Sequence, residues 1–356
     1  MNKYNKNILK LIKIFLSLVF YYLGLVAIIR NLFGQKGIRI LAYHKIETNE
    51  FDDLNMSIPV SDFEVQIKYL SEHYHVVSLL DYLRFIQTRK KIKKNMVIIT
   101  FDDGYKDNYT NAFSIVKKYS IPITIFLTVI PISTGQSLWY EVIVHLIKNS
   151  MIKELDLSDY GMGQIVLKSS SDKQVAIYQI VNKAKTMPEN QRQNLIDCLR
   201  RKLIIEDNNN QNNDDMENLM LSWDEIREMK NHGVTFGSHT MSHPILTQIP
   251  FETAEMEIKK SKYIIEKELG EKISLFTYPN GGPEDFNEDI INIIRKSGFS
   301  CACSLIPGVV KTGDNLFTLN RIGVDKDFIG KKKFITKALF ATEMAGIFDI
   351  IFMRFL

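Results

Sequence analysis

The stretch VIITFDDGYKDNY, Val97 to Tyr109, is the segment from which the fold of this chain can be inferred. Apolar and β-branched residues run directly into two adjacent aspartates, Asp102 and Asp103, and a glycine, which is the pattern of a buried strand ending in a polar turn. Two carboxylates this close repel each other, so such a pair persists where a cation or a shared proton offsets the charge. The alternative is an ordinary turn, because Asp and Gly are common turn residues.

The composition is that of an ordinary globular protein. The 356 residues can hold one large α/β domain or two smaller ones, with 45% hydrophobic and 24% charged residues. The charges, Lys+Arg 45 against Asp+Glu 41, are too balanced to indicate a nucleic-acid partner. The three cysteines form no disulfide framework, and Cys301 and Cys303 alternate so that both can lie on one face of a strand as small core residues.

The N-terminal segment, residues 1–35, is apolar and basic. Four lysines precede an uncharged run from Ile14 to Ile29, and no small-residue cleavage site follows it. We predict an uncleaved, single-pass membrane anchor that leaves the rest of the chain extracytoplasmic, because the lysines lie before the apolar run. An interfacial helix or a core helix is the alternative.

Buried strands alternate with amphipathic helices on both sides of the opening stretch. The pattern predicts strands at Gly37–Ile46, Met96–Phe101 and Ile121–Val129, and a helix capped by Ser61 or Asp62. This alternation predicts an α/β architecture with a parallel sheet or an α/β barrel.

The alternation lapses between residues 135 and 220. This part is mainly helical and polar and includes a predicted solvated loop, Glu206 to Asp215, so we interpret it as an insertion between core segments 36–134 and 221–330. The second core segment begins with a capped helix, with Ser222 as N-cap and Glu225 three residues later. The tail, residues 331–356, is amphipathic and either packs on the domain or rests on a membrane surface.

A second polar cluster follows a strand predicted at Val234 to Gly237. The sequence FGSHTMSHP places His239 and His243 four residues apart, and a helical turn would put both imidazoles on one face, a common arrangement for holding a metal. With Asp103 they would form a set of two histidines and one carboxylate that leaves positions open for water and substrate. Because strand ends converge at one mouth of an α/β barrel, these residues can meet, and Asp102 becomes a candidate base. A surface coincidence is the alternative for the histidine pair alone.

The segments TFDDG, SHTMSHP and FTYPNG resemble the first three motifs of the polysaccharide deacetylase (NodB-homology) family, carbohydrate esterase family 4. The resemblance covers roughly Ile38 to Val129 and Leu221 to Ile322. It implies a distorted (β/α) barrel and a hydrolase that removes N-acetyl groups from a polysaccharide.

The resemblance also implies roles for individual residues. Asp103, His239 and His243 match the family's ligands for a divalent metal, expected to be Zn²⁺ with Co²⁺ or Ni²⁺ as alternatives. Asp102 matches the base that draws a proton from the metal-activated water. A backbone N–H near Tyr105 matches the donor to the oxyanion.

The sequence departs from the commonest family pattern at two positions. No histidine follows His243, but His44 in ILAYH resembles the histidine of an exopolysaccharide deacetylase subgroup with an N-terminal Tyr-His motif, such as the poly-N-acetylglucosamine deacetylases. We predict His44 as the general acid, with a structural histidine as the alternative. Thr277 occupies the place of the family's arginine, and Arg321 could orient Asp102 instead. Three residues after this position fit a substrate-binding loop that lines a groove: Tyr278, Pro279 and Gly281.

The leading hypothesis is a membrane-anchored, metal-dependent hydrolase acting on N-acetylhexosamine units of a cell-surface or extracellular polysaccharide. Its expected partners are the glycan, a membrane through the N-terminal helix, and polysaccharide synthesis or export machinery. Hydrolysis of another amide on the same scaffold is one alternative, and a catalytically silent glycan-binding protein is the other. Trp139 and Trp223 could stack on sugars, with core burial the alternative for Trp223.

Overall fold

The computed structural model describes residues 3–32, 37–47, 54–88, 94–203, 219–330 and 332–351. Parallel strands between Arg39 and Gly323 form a curled sheet. The strands are β1 (Arg39–Tyr43), β2 (Lys45–Glu47), β3 (Ser57–Pro59), β4 (His75–Val76), β5 (Met96–Phe101), β6 (Thr124–Leu127), β7 (Glu154–Asp156), β8 (Gln164–Val166), β9 (Thr235–Ser238), β10 (Leu275–Thr277), β11 (Cys301–Cys303) and β12 (Ile322–Gly323). The main sheet has eight strands in the order β11-β10-β9-β6-β5-β1-β12, with β4 also paired to β5. The predicted α/β architecture with a parallel sheet is therefore confirmed.

The sheet curls into an incompletely closed barrel. Cys303 of β11 forms a parallel bridge to Leu319, just before β12, so the two edges of the sheet approach each other. The interior is filled by a buried cluster that includes Ile40, Ile98, Phe126 and Leu275. Cys301 and Cys303 belong to this cluster as buried free thiols, as predicted.

Fourteen α-helices occur in the described part of the chain. They are α1 (Lys3–Tyr22), α2 (Leu25–Leu32), α3 (Val60–His73), α4 (Leu79–Gln87), α5 (Ser114–Lys118), α6 (Val129–Thr134), α7 (Trp139–Asn149), α8 (Ser170–Lys185), α9 (Glu189–Lys202), α10 (Trp223–Asn231), α11 (Phe251–Leu269), α12 (Glu288–Lys296), α13 (Lys333–Met344) and α14 (Ile347–Ile351). The predicted start of α10 is confirmed, because Ser222 and Glu225 form a capping box.

The predicted start of α3 is wrong. The helix begins at Val60, and its N-cap is Pro59, which has an extended backbone (φ −58°, ψ 139°) and makes no side-chain cap hydrogen bond. Ser61 and Asp62 therefore lie inside the first turn, and the buried Asp62 carboxylate accepts a hydrogen bond from the Thr336 hydroxyl.

The segment between residues 135 and 203 is largely helical, as predicted. Helices α7, α8 and α9 pack together around buried apolar side chains such as Ile143, Ile177 and Leu195. The sequence did not predict the antiparallel β7–β8 hairpin within this segment. The predicted loop from Glu206 to Asp215 lies outside the described residues.

The N-terminal segment is two helices rather than one. Gly24, at φ 73°, lies between α1 and α2, and the stretches Ile8–Tyr22 and Leu25–Asn31 meet at a bend of 77°. Within the described residues no single helix is long and apolar enough to cross a bilayer, although these two stretches reach that length and composition when counted together. The prediction of one continuous spanning helix is therefore not supported.

The C-terminal tail packs on the domain through α13, which contacts α1 and α3. The ammonium of Lys13 in α1 lies 3.3 Å from the Glu343 carboxylate of α13, and both side chains are buried. Of the two positions predicted for the tail, packing on the domain is the one observed. Residues 352–356 lie outside the described part of the chain.

Candidate active site

A cleft lies where the carboxyl ends of β1, β5, β9 and β10 meet. Six of the residues that line it follow these strand ends: His44, Asp102, Asp103, His239, His243 and Tyr278. A role was predicted from the sequence for every one of these six residues. The structure brings them together although they come from both core segments, and the roles of individual residues remain predictions.

Asp102 continues the inward-facing series of β5. Side chains alternate along a strand, so Ile98, Thr100 and Asp102 point into the barrel, and Ile98 belongs to its interior cluster. Both carboxylate oxygens of Asp102 accept hydrogen bonds from the Arg321 guanidinium, each at 2.7 Å. Burial alone would raise the pKa of Asp102, but the charge and hydrogen bonds of Arg321 outweigh it and hold that pKa well below its usual range.

Arg321 is itself fixed by the barrel interior. Its guanidinium donates to the hydroxyl of Thr277 at 2.8 Å and to the carbonyl of Ser304 at 2.7 Å, and it is buried. Thr277, which replaces the arginine of the resembled family, thus accepts a hydrogen bond from the arginine that contacts Asp102. The guanidinium lies where the sequence analysis expected a partner for this carboxylate.

Asp103 lies in a different environment from its neighbour. Its Oδ2 accepts a hydrogen bond from the Tyr140 hydroxyl at 2.8 Å, while its buried Oδ1 has no hydrogen-bond partner among the described residues. Burial, and then the charge of Asp102, raise the pKa of Asp103 to about 8 in the absence of a cation. A buried carboxylate oxygen without a partner indicates a place for a positive ligand.

Two imidazole nitrogens face that orphaned oxygen. Nε2 of His239 lies 3.6 Å and Nε2 of His243 lies 3.4 Å from Asp103 Oδ1. One ligand atom from each of these residues falls within 4.8 Å of the other two, so together they could hold a metal ion. The donor set of two imidazoles and one carboxylate suits a divalent transition metal and leaves further coordination positions open.

His239 is oriented by a hydrogen bond on the far side of its ring. Its Nδ1 lies 2.9 Å from the carbonyl of Thr277, which can only accept, so Nδ1 carries the proton and Nε2 keeps its lone pair. Burial lowers the pKa of both His239 and His243, which keeps the imidazoles neutral and able to bind a cation.

The loop that carries the histidines is not helical, so the spacing argument in the sequence analysis was wrong. Thr240 and His243 both have positive φ, 71° and 61°, a strained conformation for a β-branched residue such as Thr240. Buried Glu257 of α11 stabilises the loop by accepting hydrogen bonds from the backbone N–H groups of Met241 and Ser242 at 2.8 and 3.0 Å. Two left-handed residues, and not one helical turn, bring the imidazoles together.

His44 lies on the other side of Asp102. Its Nε2 is 3.9 Å from Asp102 Oδ2, and its carbonyl accepts a hydrogen bond from Asn108 at 2.8 Å. Burial lowers the pKa of His44 to about 4, and the charge of Asp102 opposes this only in part. The histidine is therefore neutral near pH 7, and its Nε2 lies beyond hydrogen-bond distance from the carboxylate.

The side chain of Tyr105 does not line the cleft. Its hydroxyl lies behind Asp103 and donates to Glu141 at 2.8 Å, and Lys45 pairs with the same carboxylate at 2.7 Å. Its backbone N–H has no acceptor among the described residues. A substrate contact by Tyr105 would therefore be through its backbone.

The loop after β10 forms another side of the cleft. Tyr278 lines it and donates its hydroxyl to the Phe317 carbonyl at 2.8 Å. Pro279 and Gly281 do not line the cleft, but Gly281, at φ 70°, shapes the turn that brings Asn280 to it, and a Cβ there would lie 2.8 Å from the Leu305 nitrogen. Trp139 lines the cleft, whereas Trp223 does not and donates to Ser133.

Sequence reasoning missed several residues around this site. Tyr140 and Glu257 hold the metal-site residues, and Lys185 of α8 lines the cleft, yet none lies in a recognisable motif. An acidic residue on the apolar face of the amphipathic helix α11 was the only sequence signal for Glu257. Nothing in the sequence of the insertion indicated that it reaches the site.

Comparisons with known proteins agree with this site. A family model described as polysaccharide deacetylase matches residues 89–144 and 197–302, the segments that hold Asp102, Asp103 and both histidines. YxkH of Bacillus subtilis (strain 168), assigned by name to the polysaccharide deacetylases, is 21% identical over 82% of this chain and 72% of its own length. The poly-beta-1,6-N-acetyl-D-glucosamine N-deacetylase of Staphylococcus aureus (strain MSSA476) is 40% identical, but over only 20% of this chain and 25% of that enzyme.

Solved structures share the fold. IcaB from Ammonifex degensii matches with a TM-score of 0.55 at 19% identity, covering 86% of this chain and 98% of that one. The Streptococcus pyogenes deacetylase PplD, solved in complex with acetate, matches with a TM-score of 0.54 at 19% identity, covering 81% and 92%. At this level of identity the likeness establishes the architecture of the curled sheet.

Proposed function

The chain belongs to the polysaccharide deacetylase family, a family of hydrolytic N-deacetylases, and from this premise we propose that it removes N-acetyl groups from N-acetylhexosamine units of a cell-surface or extracellular polysaccharide. The family and the enzyme class agree with the resemblance drawn from the sequence. The substrate, the metal and the residue roles are parts of the proposal.

The observation that carries the proposal is the contrast between two adjacent carboxylates. Asp102 has both oxygens bound by Arg321 and stays ionised, whereas Asp103 has a buried oxygen without a partner facing two imidazoles. Asp103, His239 and His243 would hold a divalent ion, Zn²⁺ in the first instance with Co²⁺ or Ni²⁺ as alternatives. Such an ion lowers the pKa of a water molecule and polarises a carbonyl when it is bound.

The protein's own groups then handle the protons. Asp102 accepts a proton from the attacking water, and the Tyr105 backbone N–H is available to the oxyanion that forms on the acetamide. His44 is neutral at the start, so the proton it gives to the leaving sugar amine is one it takes from Asp102, 3.9 Å away. Arg321 positions Asp102 throughout.

The direct test is acetate release from N-acetylglucosamine oligomers by the full chain, loaded with Zn²⁺, Co²⁺ or Ni²⁺ in turn. We expect metal-dependent release that falls roughly 100-fold or more in Asp102→Asn, because the base is lost while the metal ligands stay. The matched control is Asp107→Asn, which changes a nearby acid outside the cleft.

Two other outcomes would favour the alternatives. A metal-loaded protein that releases no acetate from any oligomer but hydrolyses another amide would redirect the proposal to a different acyl substrate. A protein that binds oligomers and no metal would be a glycan-binding protein.

We further propose that the protein works at the extracytoplasmic surface of a membrane, beside polysaccharide synthesis or export machinery. Support comes from four apolar side chains of the N-terminal segment that are each about two-thirds exposed: Leu11, Phe15, Tyr22 and Leu23. The opposite face of α1 is fixed to the domain by Lys13, so the apolar face would lie in the lipid interface and not span it. Lys337, whose ammonium lies 5.8 Å from the Tyr21 ring, adds positive charge for anionic lipid headgroups.

Flotation with vesicles of anionic or neutral lipid tests this placement. We expect the full chain to float with anionic vesicles and the Leu11→Ser, Phe15→Ser double variant to stay in the dense fraction. Equal flotation of both proteins would contradict a role for the apolar face.

A further inference from the structure

The insertion builds one wall of the catalytic cleft. Tyr178, Val181, Asn182 and Lys185 of α8 all line the cleft, and their spacing of three and four residues puts them on one face of the helix. Buried residues on the other side of α8, such as Ile177 and Ala184, pack within the insertion. The wall is therefore held from behind, and its front faces the six residues that follow the strand ends.

Lys185 is the basic residue among the four α8 residues that line the cleft. It is partly buried at the last turn of α8, and among the described residues it makes no hydrogen bond and no ion pair. It lines the same cleft as His44, Asp103 and His243. Burial lowers the pKa of Lys185, and the charges of Asp285 and Asp103 oppose this shift. Asp285 forms no ion pair with Lys185, and its Oδ2 accepts hydrogen bonds from Asn280 and from the Gly282 backbone N–H, each at 2.6 Å.

Another basic residue of the insertion, Arg192, is buried and differs from Lys185 in its contacts. Arg192 of α9 forms an ion pair with Glu189 and lies over the Trp139 ring, 4.7 Å from its centroid. Its charge is compensated behind the wall, while that of Lys185 is left facing the cleft.

An uncompensated ammonium at this position is costly. Burial disfavours its charge, and a divalent ion held by Asp103, His239 and His243 would repel it further. A neutral N-acetylhexosamine polymer offers it no counter-charge, and the amine produced by deacetylation would add another positive group. A carboxylate or phosphate on the substrate would give Lys185 a counter-charge and leave the metal site to the N-acetyl group.

We propose that Lys185 binds an anionic group, carboxylate or phosphate, on the glycan beside the N-acetyl group that is removed, so that the enzyme prefers an anionic polysaccharide to a neutral one. This inference rests on the proposed function, because it concerns the substrate of the same cleft. Lys185 is a specificity-determining residue in this scheme and takes no part in the proton transfers.

Binding can be measured without turnover. Trp139 lines the cleft and is one of only two tryptophans, so its fluorescence should report oligosaccharide binding by the metal-loaded Asp102→Asn variant. Two hexasaccharides with the same β-1,4 backbone serve as probes: an N-acetylglucosamine hexamer, and alternating N-acetylglucosamine and N-acetylmuramic acid, which adds lactyl carboxylates.

We expect the anionic hexasaccharide to bind at least about tenfold more tightly, as one partly buried ion pair allows. Adding Lys185→Met should remove this preference and leave the Kd of the neutral hexamer within about twofold. The control Lys183→Met changes an exposed lysine of the same helix and should keep the preference.

Three results would overturn the proposal. The first is equal affinity for the two hexasaccharides in the Asp102→Asn background, and the second is a preference that survives Lys185→Met. The third is binding of free acetate that depends on Lys185 while neither hexasaccharide is displaced, which would assign the lysine to the product. Failure of acetate release by the wild-type enzyme on either probe would count against the proposed function instead, because the binding comparison does not depend on it.

Discussion

The six cleft residues that follow strand ends, here called the rim, and the wall formed by α8 of the insertion differ in how their charged groups are paired. The rim residues are His44, Asp102, Asp103, His239, His243 and Tyr278. At the rim, Asp102 is bound by Arg321 and His239 by a backbone carbonyl, so these two groups have fixed partners inside the protein. At the wall, Lys185 has no such partner and faces the cleft. The difference suggests that the rim determines which bond is broken, while the wall influences which glycan is accepted.

The largest effect is expected from removing the counter-charge at the rim. Arg321→Met leaves the Asp102 carboxylate buried and unpaired, so the free energy of unfolding should fall by about 3–5 kcal/mol, and acetate release should be lost. Chemical denaturation measures the first effect. The control is the Arg321→Met, Asp102→Asn double variant, which removes both charges and should recover much of the stability; equal destabilisation of single and double variants would show that the ion pair is not the cause.

Metal removal should destabilise the rim in a pH-dependent way. In the metal-free protein the pKa of Asp103 is about 8, above the ordinary value near 4 of an unfolded chain. Between these values the folded state holds a proton that the unfolded state has released, so the stability of the chelated protein should fall as pH rises from about 4 to about 8. Thermal unfolding with chelator at pH 5.5 and pH 8 measures this change in stability, and Asp103→Asn should make the melting temperature less dependent on pH. A lower stability at pH 5.5 than at pH 8 would contradict the assignment.

A smaller effect is expected from changing Glu257, which contacts the histidine loop from α11. Glu257→Gln weakens the hydrogen bonds that hold Met241 and Ser242, so the strained histidine loop should relax and metal affinity should fall about 10- to 100-fold. Competition with a chromophoric chelator gives the affinity. Glu255→Gln, on the exposed side of the same helix, is the matched control, and equal affinities for the two variants would remove Glu257 from the site.

The smallest effect is expected from changing the N-cap of α8, the helix that forms the wall. Ser169 forms a capping box with Asp172 at the start of α8, so Ser169→Ala should cost about 1 kcal/mol of stability. Acetate release well below the melting temperature should be unchanged, because the cap lies at the end of the helix far from Lys185. A change in glycan preference in this variant would mean that the wall is less rigid than its packing indicates.

The parts of the site that follow strand ends were predictable from the sequence. The limits of β5 matched the apolar run Met96–Phe101, and the polar residues after it and after β9 were identified as a metal site candidate. Strand ends of a parallel sheet converge whatever lies between them in the sequence, so the pattern alone brought Asp102, Asp103 and the histidines together.

The parts that depend on backbone details or on distant packing were not predictable in the same way. The histidine loop uses two positive-φ residues, Thr240 and His243, and Thr240 is β-branched, a residue type that rarely adopts this conformation. The insertion's approach to the cleft depends on how α7, α8 and α9 pack, which no local pattern encodes. In the N-terminal segment, Gly24 ends α1 inside an apolar run that hydropathy treats as continuous.

The pairing of Asp102 with Arg321 joins positions 219 residues apart, and β12, which begins one residue later, pairs with β1. During synthesis the segments that hold Asp103, His239 and His243 emerge first, while the counter-charge of Asp102 follows only with the last strand of the sheet. A nascent or C-terminally shortened chain could therefore gather the metal ligands without having an oriented base. Contacts this distant in sequence also form late in folding, so hydrolysis would be withheld until the first and last strands have met.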